Sequence, residues 1–369
     1  MSTTPLAATR RATITDVARE AGTGKTSISR YLNGEMSVLS PELRARIEAA
    51  IERLDYQPNQ MARGLKRGRN RLIGMLLADL TNPYSVEVLQ GVEAACQALG
   101  LMPLICHAAN EVEMERRYLQ LLTTYRVEGV IVNALGVREE TLRPVGGGGI
   151  PAVLVDRSVE GLVADMVGLD NRAAAELGTR HLLDHGFDDI WFVVQPFEQV
   201  SSRQLREAAF REVMGGEGYE GRTGEGGTSG TSGTNGQGGK GGARGHTLVL
   251  NLGEPAAVER ALAELDRAIE AAGKASRIAL FAANAPVALC LALHLKARYG
   301  ADWQARVALL SIDDPEWAEL TGITTIRQPT YEIGYRAVEF LHERIEGVQT
   351  TARDCLLPGE LIVRASTSR

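Results

Sequence analysis

Between Ile14 and Asn33, apolar and small residues recur at three- or four-residue steps: Ile14, Val17, Ala18 and Ala21, then Ile28 and Leu32. Gly22-Thr23-Gly24 separates the two groups. The spacing predicts two short amphipathic helices joined by a tight turn, a helix-turn-helix. Thr13 can cap the first helix, with Asp16 three places on in a variant of the capping box, and Gly24 is a weaker cap for the second. Behind the start signal Ser40-Pro41, Leu43, Ile47, Ala50, Ile51 and Leu54 share one face of a third helix, which closes a three-helix core with Val17 and Ile28. Lys25, Thr26, Ser29 and Arg30 lie on the outer side of the second helix, donors suited to base edges or phosphates in a major groove.

Tyr56-Gln57-Pro58-Asn59 breaks the pattern. Asn59 can cap one more short helix, Gln60 to Leu65, ahead of the basic run Lys66 to Arg71. A helix that short, with Gly64 inside it, is marginal alone in water and is expected to order on binding; the alternative is a plain charged linker. From Arg71 onward, short apolar runs alternate with helical segments. Leu72 to Ala78, Met102 to His107, Gly129 to Val132, Ala152 to Val155, Ile190 to Val194, Ile278 to Phe281 and Val307 to Ile312 suit parallel strands buried on both faces. Ser85 to Leu99, Glu111 to Tyr125, Arg172 to His185, Glu254 to Ala271 and Val287 to Tyr299 read as the helices between them. The expectation is a doubly wound α/β body, in two such lobes. About half of residues 215 to 245 are glycine and most of the rest are polar. Such a stretch cannot bury enough apolar surface to offset its ordering entropy, so it reads as a disordered surface insertion.

At 369 residues, 44% hydrophobic and 23% charged, the chain has room for a small domain and a large one of ordinary soluble composition. The net charge of -6 is unevenly spread: residues 1 to 71 carry 13 Lys and Arg against 7 Asp and Glu. A basic head on an acidic body suits phosphate contact at one end only. Cys96, Cys106, Cys290 and Cys355 lie too far apart for zinc-site spacing and read as reduced structural thiols. No long apolar run or secretory leader appears, so the expected location is the cytoplasm.

Gly22 to Ser27, Gly-Thr-Gly-Lys-Thr-Ser, also looks like the tail of a phosphate-binding P-loop. Arg19 stands where that motif needs its first glycine, and a helical pattern precedes it where a strand is required. Neither a dinucleotide glycine pattern nor a metal or Ser/His/Asp signature is found, so no catalytic residue, cofactor or metal is expected. His107, His181 and His185 read as partly exposed helix or loop residues. Polar residues instead collect just after the expected strands: Asp79 with Asn82, Tyr84 and Ser85, then Asn133, Asp156, Arg157, Asn284, Asp313 and Asp314. In open α/β sheets ligands bind outside the carboxyl ends of strands, and converging amides, carboxylates and hydroxyls suit a sugar-like ligand. Each alone fits a turn former or helix cap; their joint placement is the signal.

Thr-Ile-Thr-Asp-Val-Ala-Arg-Glu-Ala-Gly, Ser-Ile-Ser-Arg-Tyr-Leu-Asn-Gly, Tyr-Gln-Pro-Asn-Gln-Met-Ala-Arg-Gly-Leu and Leu-Ile-Gly-Met-Leu-Leu-Ala-Asp-Leu-Thr-Asn-Pro-Tyr together resemble the lactose-repressor (LacI/GalR) family of bacterial transcription regulators. The resemblance covers nearly the whole chain. It implies a helix-turn-helix head over residues 1–58, a hinge helix and linker over 59–70, and a periplasmic-binding-protein-like body. One lobe of that body would be 71–168 plus 329–351, the other 169–328 plus 352–369. It further implies a homodimer or tetramer on a palindromic operator. Thr15, Lys25, Thr26, Ser29, Arg30 and Asn33 of the head, with Asn59 and Ala62, would contact DNA, and Leu65 would enter the minor groove as a wedge. Gly24 and Thr23 depart from the family's usual serine cap and buried valine.

Within the body, the resemblance makes Arg206, in Ser201-Ser202-Arg203-Gln204-Leu205-Arg206, the effector-gripping arginine. Ser202, Asn284, Asp313 and Gln328 join it, while Ala285-Pro286 replaces an aspartate common in the family. Val-Leu-Val-Asp-Arg, Gly-Leu-Asp-Asn and Ser-Ser-Arg-Gln resemble the sugar-acid branch, regulators answering to 2-ketogluconate. The implied function is a repressor of carbohydrate metabolism controlled by a sugar or sugar-acid effector. Its rivals are a transport solute-binding protein, which would lack the basic head, and an α/β sugar-metabolising enzyme.

Overall fold

The computed structural model describes residues 10–58, 69–134, 149–159, 161–198, 200–215, 242–273 and 277–368. Two units result, divided between Asn70 and Arg71. In the first, α1 (Ile14–Glu20), α2 (Lys25–Leu32) and α3 (Pro41–Arg53) enclose Val17, Ala18, Ala21, Ile28, Leu39, Ile47 and Ala50. The capping box forms at Thr13: Asp16 N–H donates to Thr13 Oγ1 at 3.4 Å, and Thr13 N–H to Asp16 Oδ2 at 2.9 Å. Ser40 Oγ accepts from Leu43 N–H at 3.3 Å at the start of α3, while Gly24 gives α2 no side-chain cap. The expected hinge helix at Gln60 to Leu65 lies outside the described residues.

The second unit holds two six-stranded sheets. Its strands and helices run β1 (Leu72–Leu77), α4 (Pro83–Leu99), β2 (Met102–His107), α5 (Val112–Thr124), β3 (Gly129–Asn133), β4 (Ala152–Val155) and β5 (Asp165–Leu169). They continue as α6 (Asn171–Asp184), β6 (Asp189–Val194), α7 (Ser201–Val213), β7 (Arg244–Val249), α8 (Pro255–Ala272), β8 (Ile278–Ala282) and α9 (Ala285–Tyr299). The last are β9 (Ala308–Ile312), α10 (Glu316–Thr321), β10 (Thr324–Arg327), α11 (Thr330–Ile345), β11 (Asp354–Leu357) and β12 (Glu360–Ile362). The first sheet is ordered β11-β5-β4-β3-β1-β2 and the second β12-β10-β9-β8-β6-β7; every pairing is parallel except β12 on β10.

Alternate side chains of the central strands feed opposite layers, as strand geometry requires. Ile73, Met75 and Leu77 of β1 pack with Val88 and Val92 of α4 and Ile333 and Val338 of α11, whereas Leu76 packs with Leu119 and Leu122 of α5. The chain crosses between lobes between Leu169 and Asn171, between Arg327 and Thr330, and between Leu357 and Glu360.

Several expectations need correction. β2 is an edge strand, not one buried on both faces: Met102 is 62% exposed. Residues 352–369 do not all join the second lobe, because β11 pairs with β5 in the first sheet and only β12 returns to the second. Their strands are too short for sequence pattern to choose the sheet. Arg244 and Gly245 belong to β7 and not to the glycine-rich insertion, whose residues 216–241 lie outside the described set. His181 is buried, its Nε2 2.8 Å from Thr367 Oγ1, because the carboxy-terminal segment packs over α6.

Candidate functional site

In the head, α2 buries Ile28 and turns Lys25, Thr26 and Arg30 to solvent, with Ser29 half-buried beside them. The cause is local: positions 25, 26, 29 and 30 fall on the helix face away from the core residue. Thr15 is half-buried on α1. Asn33 ends α2, its Nδ2 3.4 Å from Glu35 Oε1, and Arg30 makes a loose 4.0 Å ion pair with Glu35. Asn59, Ala62 and Leu65 lie outside the described residues.

In the body, a cleft of about 810 Å³ lies between the lobes, outside the carboxyl ends of both sheets. All eleven effector candidates line it: Asp79, Tyr84, Ser85, Asn133, Asp156, Arg157, Ser202, Arg206, Asn284, Asp313 and Gln328. The two lobes supply matching parts. Asp156 follows β4 with φ +67° and Asp313 follows β9 with φ +79°, the left-handed conformation that Asp tolerates better than most residues. Asp156 N–H donates to Val167 O at 3.0 Å and Asp313 N–H to Ile326 O at 2.9 Å, so each aspartate is fixed by the neighbouring strand. Asn82 caps α4 through a 3.2 Å bond from Tyr84 N–H, and Asn284 caps α9 through a 3.1 Å bond from Val287 N–H. Turn former, cap and cavity wall are here the same residues.

Several of these groups are already engaged. Asp79 accepts from Thr81 N–H, Thr81 Oγ1 and Asn110 Nδ2 at 2.8, 2.7 and 3.1 Å; burial raises its pKa, these bonds outweigh it, and the net shift is downward. Asn133 Nδ2 donates to Val155 O at 3.2 Å. Ser202 Oγ donates across the cleft to Asp156 Oδ2 at 3.1 Å. Asp313 accepts from Ala285 N–H at 2.9 Å and Gln328 Nε2 at 2.5 Å, yet burial still pushes its carboxyl upward. Ala285, where an aspartate was the family expectation, thus contributes its backbone N–H instead.

Arg206 is 4% exposed, so it is no surface helix arginine. Its Nε donates to Asn171 Oδ1 at 2.7 Å and its Nη1 to Ala283 O at 2.6 Å. Asp314 does not join the cleft; Arg327 and Arg364 each donate to it at 2.7 Å. Sequence reading passed over Arg203, Gln195, Leu289, Leu293 and Trp317, which also line the cavity. Arg203 was detectable, since it lies three residues before Arg206 on one helix face.

Among the described residues, four buried polar atoms on this one cavity lack a hydrogen-bond partner: Tyr84 Oη, Asp156 Oδ1, Arg157 Nε and Gln328 Oε1. Buried polar groups are ordinarily satisfied, so their convergence marks a place made for a polar ligand. No helix among the described residues is long and apolar enough to cross a membrane, and none of their His, Cys, Asp or Glu groups is arranged to hold a metal ion.

A DNA-reading helical head and a two-lobed, sugar-binding-type body define a ligand-responsive transcription regulator, and comparison with known proteins agrees. The family model described as bacterial regulatory proteins, lacI family, matches residues 13–59. That of periplasmic binding proteins and sugar binding domain of LacI family matches 70–222, and a periplasmic binding protein-like domain matches 179–367. The chain is 40% identical to the HTH-type transcriptional regulator PtxS of Pseudomonas aeruginosa, over 97% of this chain and 96% of that one. Against the HTH-type transcriptional regulator KdgR of Bacillus subtilis identity is 32%, over 97% and 98%. Its fold superposes on the lac repressor dimer bound to operator and the anti-inducer ONPF with a TM-score of 0.75, at 21% identity over 97% and 99% of the chains. The chain belongs to the lacI family of bacterial regulatory proteins and is a DNA-binding transcription regulator.

Proposed function

We propose that this regulator is a cytoplasmic repressor of carbohydrate metabolism that binds a palindromic operator as a homodimer and releases or tightens it when a sugar acid of the 2-ketogluconate type enters the cleft. The observation that carries the reading is the cluster of unsatisfied polar atoms between the lobes, set among three arginines. Hydroxyls of a sugar can donate to Asp156 Oδ1 and Gln328 Oε1 and accept from Tyr84 Oη, while an acid group meets guanidinium. In the head, Lys25, Thr26, Ser29 and Arg30 read bases with Thr15 and Asn33 beside them, and Asn59, Ala62 and Leu65 continue the contact. A ligand that touches both lobes differs in affinity between their open and closed arrangements, which couples the cleft to the operator reciprocally.

The domain division that serves this coupling is a head over 1–58, a hinge over 59–70 and two lobes exchanging chain three times. The test selects duplexes from a random library with the full-length protein, then repeats the mobility shift with 2-ketogluconate, gluconate and glucose. Selection of a two-fold symmetric sequence whose shift changes with a sugar acid supports the reading. No selected sequence, or a shift indifferent to every sugar acid, refutes it.

A further inference from the structure

Three guanidinium groups reach the cleft, and their pairing is unequal. Arg206 is held through Nε by Asn171 and through Nη1 by Ala283, and its Nη2 lies 3.8 Å from Asp156 Oδ1. Arg157 donates from Nη1 to Ala134 O at 2.9 Å, but its Nε is buried without a hydrogen bond and lies 3.5 Å from Asp156 Oδ2. Arg203 donates to Pro196 O at 2.7 Å and Gln195 Oε1 at 3.0 Å, both neutral acceptors. Burial, with the like charges of Arg157 and Arg206 nearby, brings its pKa down to about 10. Among the described residues one carboxylate, Asp156, faces all three, and both its ion-pair distances exceed the roughly 2.7–2.9 Å of a charge-assisted bond. Asp313 makes no ion pair with any of the three among the described residues; it accepts instead from Ala285 N–H and Gln328 Nε2. Among the described residues, that end of the cleft therefore holds more positive charge than it neutralises, an arrangement that costs stability until an anion arrives.

We propose that Arg157 and Arg203 form a carboxylate-binding subsite, and that this pair, rather than Arg206, makes the cleft select an acid over a neutral sugar. The inference rests on the effector reading above. A carboxylate offers two oxygens in one plane, and the Nε–Nη2 edge of Arg157, which makes no hydrogen bond among the described residues, is the matching fork. Arg157 follows β4 in the first lobe and Arg203 lies on α7 in the second. An acid held by both spans the cleft and favours lobe closure. Arg206 serves as framework, tying α7 to Asn171 and Ala283.

The test titrates full-length wild type, Arg157→Gln, Arg203→Gln and Arg203→Lys with 2-ketogluconate by calorimetry and records the unliganded unfolding midpoint of each. The expected result is an affinity loss of about 10- to 100-fold in each Gln variant. Arg203→Lys, which keeps the charge, should bind more tightly than Arg203→Gln. The unliganded midpoints should not fall, because removing one of three crowded cations relieves repulsion. Binding within about threefold of wild type by either Gln variant overturns the proposal, as does an affinity loss accompanied by a midpoint several degrees lower. A wild type that binds no sugar acid overturns the effector reading itself, and the subsite with it.

Discussion

Replacing Gly91 by alanine tests how the cleft is held in shape. Gly91 on α4 and Gly334 on α11 face each other where the two helices cross. A Cβ at Gly91 would stand 2.0 Å from Tyr331 O, and one at Gly334 would stand 2.0 Å from Val88 O. Ordinary contact needs about 3.4 Å, so the helices must part by more than an ångström locally. Parting them loosens Val88, Val92, Ile333, Ala337 and Val338, all fully buried. Overpacking of this kind costs about 1–3 kcal/mol or more, and lost dispersion across the opened interface adds to it. Better helix propensity returns at most about 1 kcal/mol. Gly91→Ala should therefore lose about 2 kcal/mol net and lower the unfolding midpoint by roughly 5 °C. Both effects are read by thermal and urea denaturation. Adding Gly334→Ala should cost less than it does alone, because one separation relieves both clashes. Ligand affinity should fall as well, since Tyr84 and Ser85 ride on the first turn of α4 and Gln328 just precedes α11. A Gly91→Ala protein that unfolds at or above the wild-type midpoint would refute the reasoning.

Asp165 is buried and accepts from Arg344 Nε and Nη2 at 2.9 and 2.8 Å and from Arg353 N and Nη2 at 2.9 Å each. Burial raises its pKa, but these bonds outweigh it and hold the carboxyl well below the usual range. Asp165→Asn should cost about 2–4 kcal/mol near neutral pH, less than a wholly buried pair because both arginines are partly exposed. With the folded pKa depressed, this stabilisation is complete above about pH 4 and disappears as pH falls through the folded value, so urea midpoints of wild type and variant should converge in acid. Lys25→Ala and Arg30→Ala should each weaken operator binding by about 1–3 kcal/mol in a mobility-shift titration, leaving the unfolding midpoint of the body unchanged. Ser40→Ala removes the cap of α3 and should destabilise the head by about 1 kcal/mol, read by far-ultraviolet circular dichroism during melting.

The head was legible because its determinants are local. Val17, Ala18, Ile28, Ile47 and Ala50 recur at helical spacing and all are buried, and Thr13 and Ser40 cap the helices they precede. Strands β1, β3, β4, β6, β8 and β9 were equally plain as continuous apolar runs. β5 gave no continuous run because Asp165 opens it and Gly168 interrupts it, and β10, β11 and β12, as short as β4, lack its unbroken apolar run because Thr324, Thr325 and Arg327, Asp354, and Glu360 occupy them. Helix α11 did carry a signal, since Ile333, Ala337, Val338 and Leu341 share one buried face.

The order of residues along the chain determined which segments would be helix or strand, the basic charge of the head, and the polar residues at the strand ends that became the walls of the cleft. These follow from periodicity, caps and strand-end chemistry, properties that neighbouring residues settle among themselves. Tertiary structure alone decided that Asp156 would face three guanidinium groups, that Arg206 would be tied down while Arg157 kept an unmatched edge, and that Gly91 would meet Gly334. Those outcomes depend on groups tens to hundreds of positions apart being carried to one place. Their charge balance and clearance exist only once the two sheets and their helices have packed.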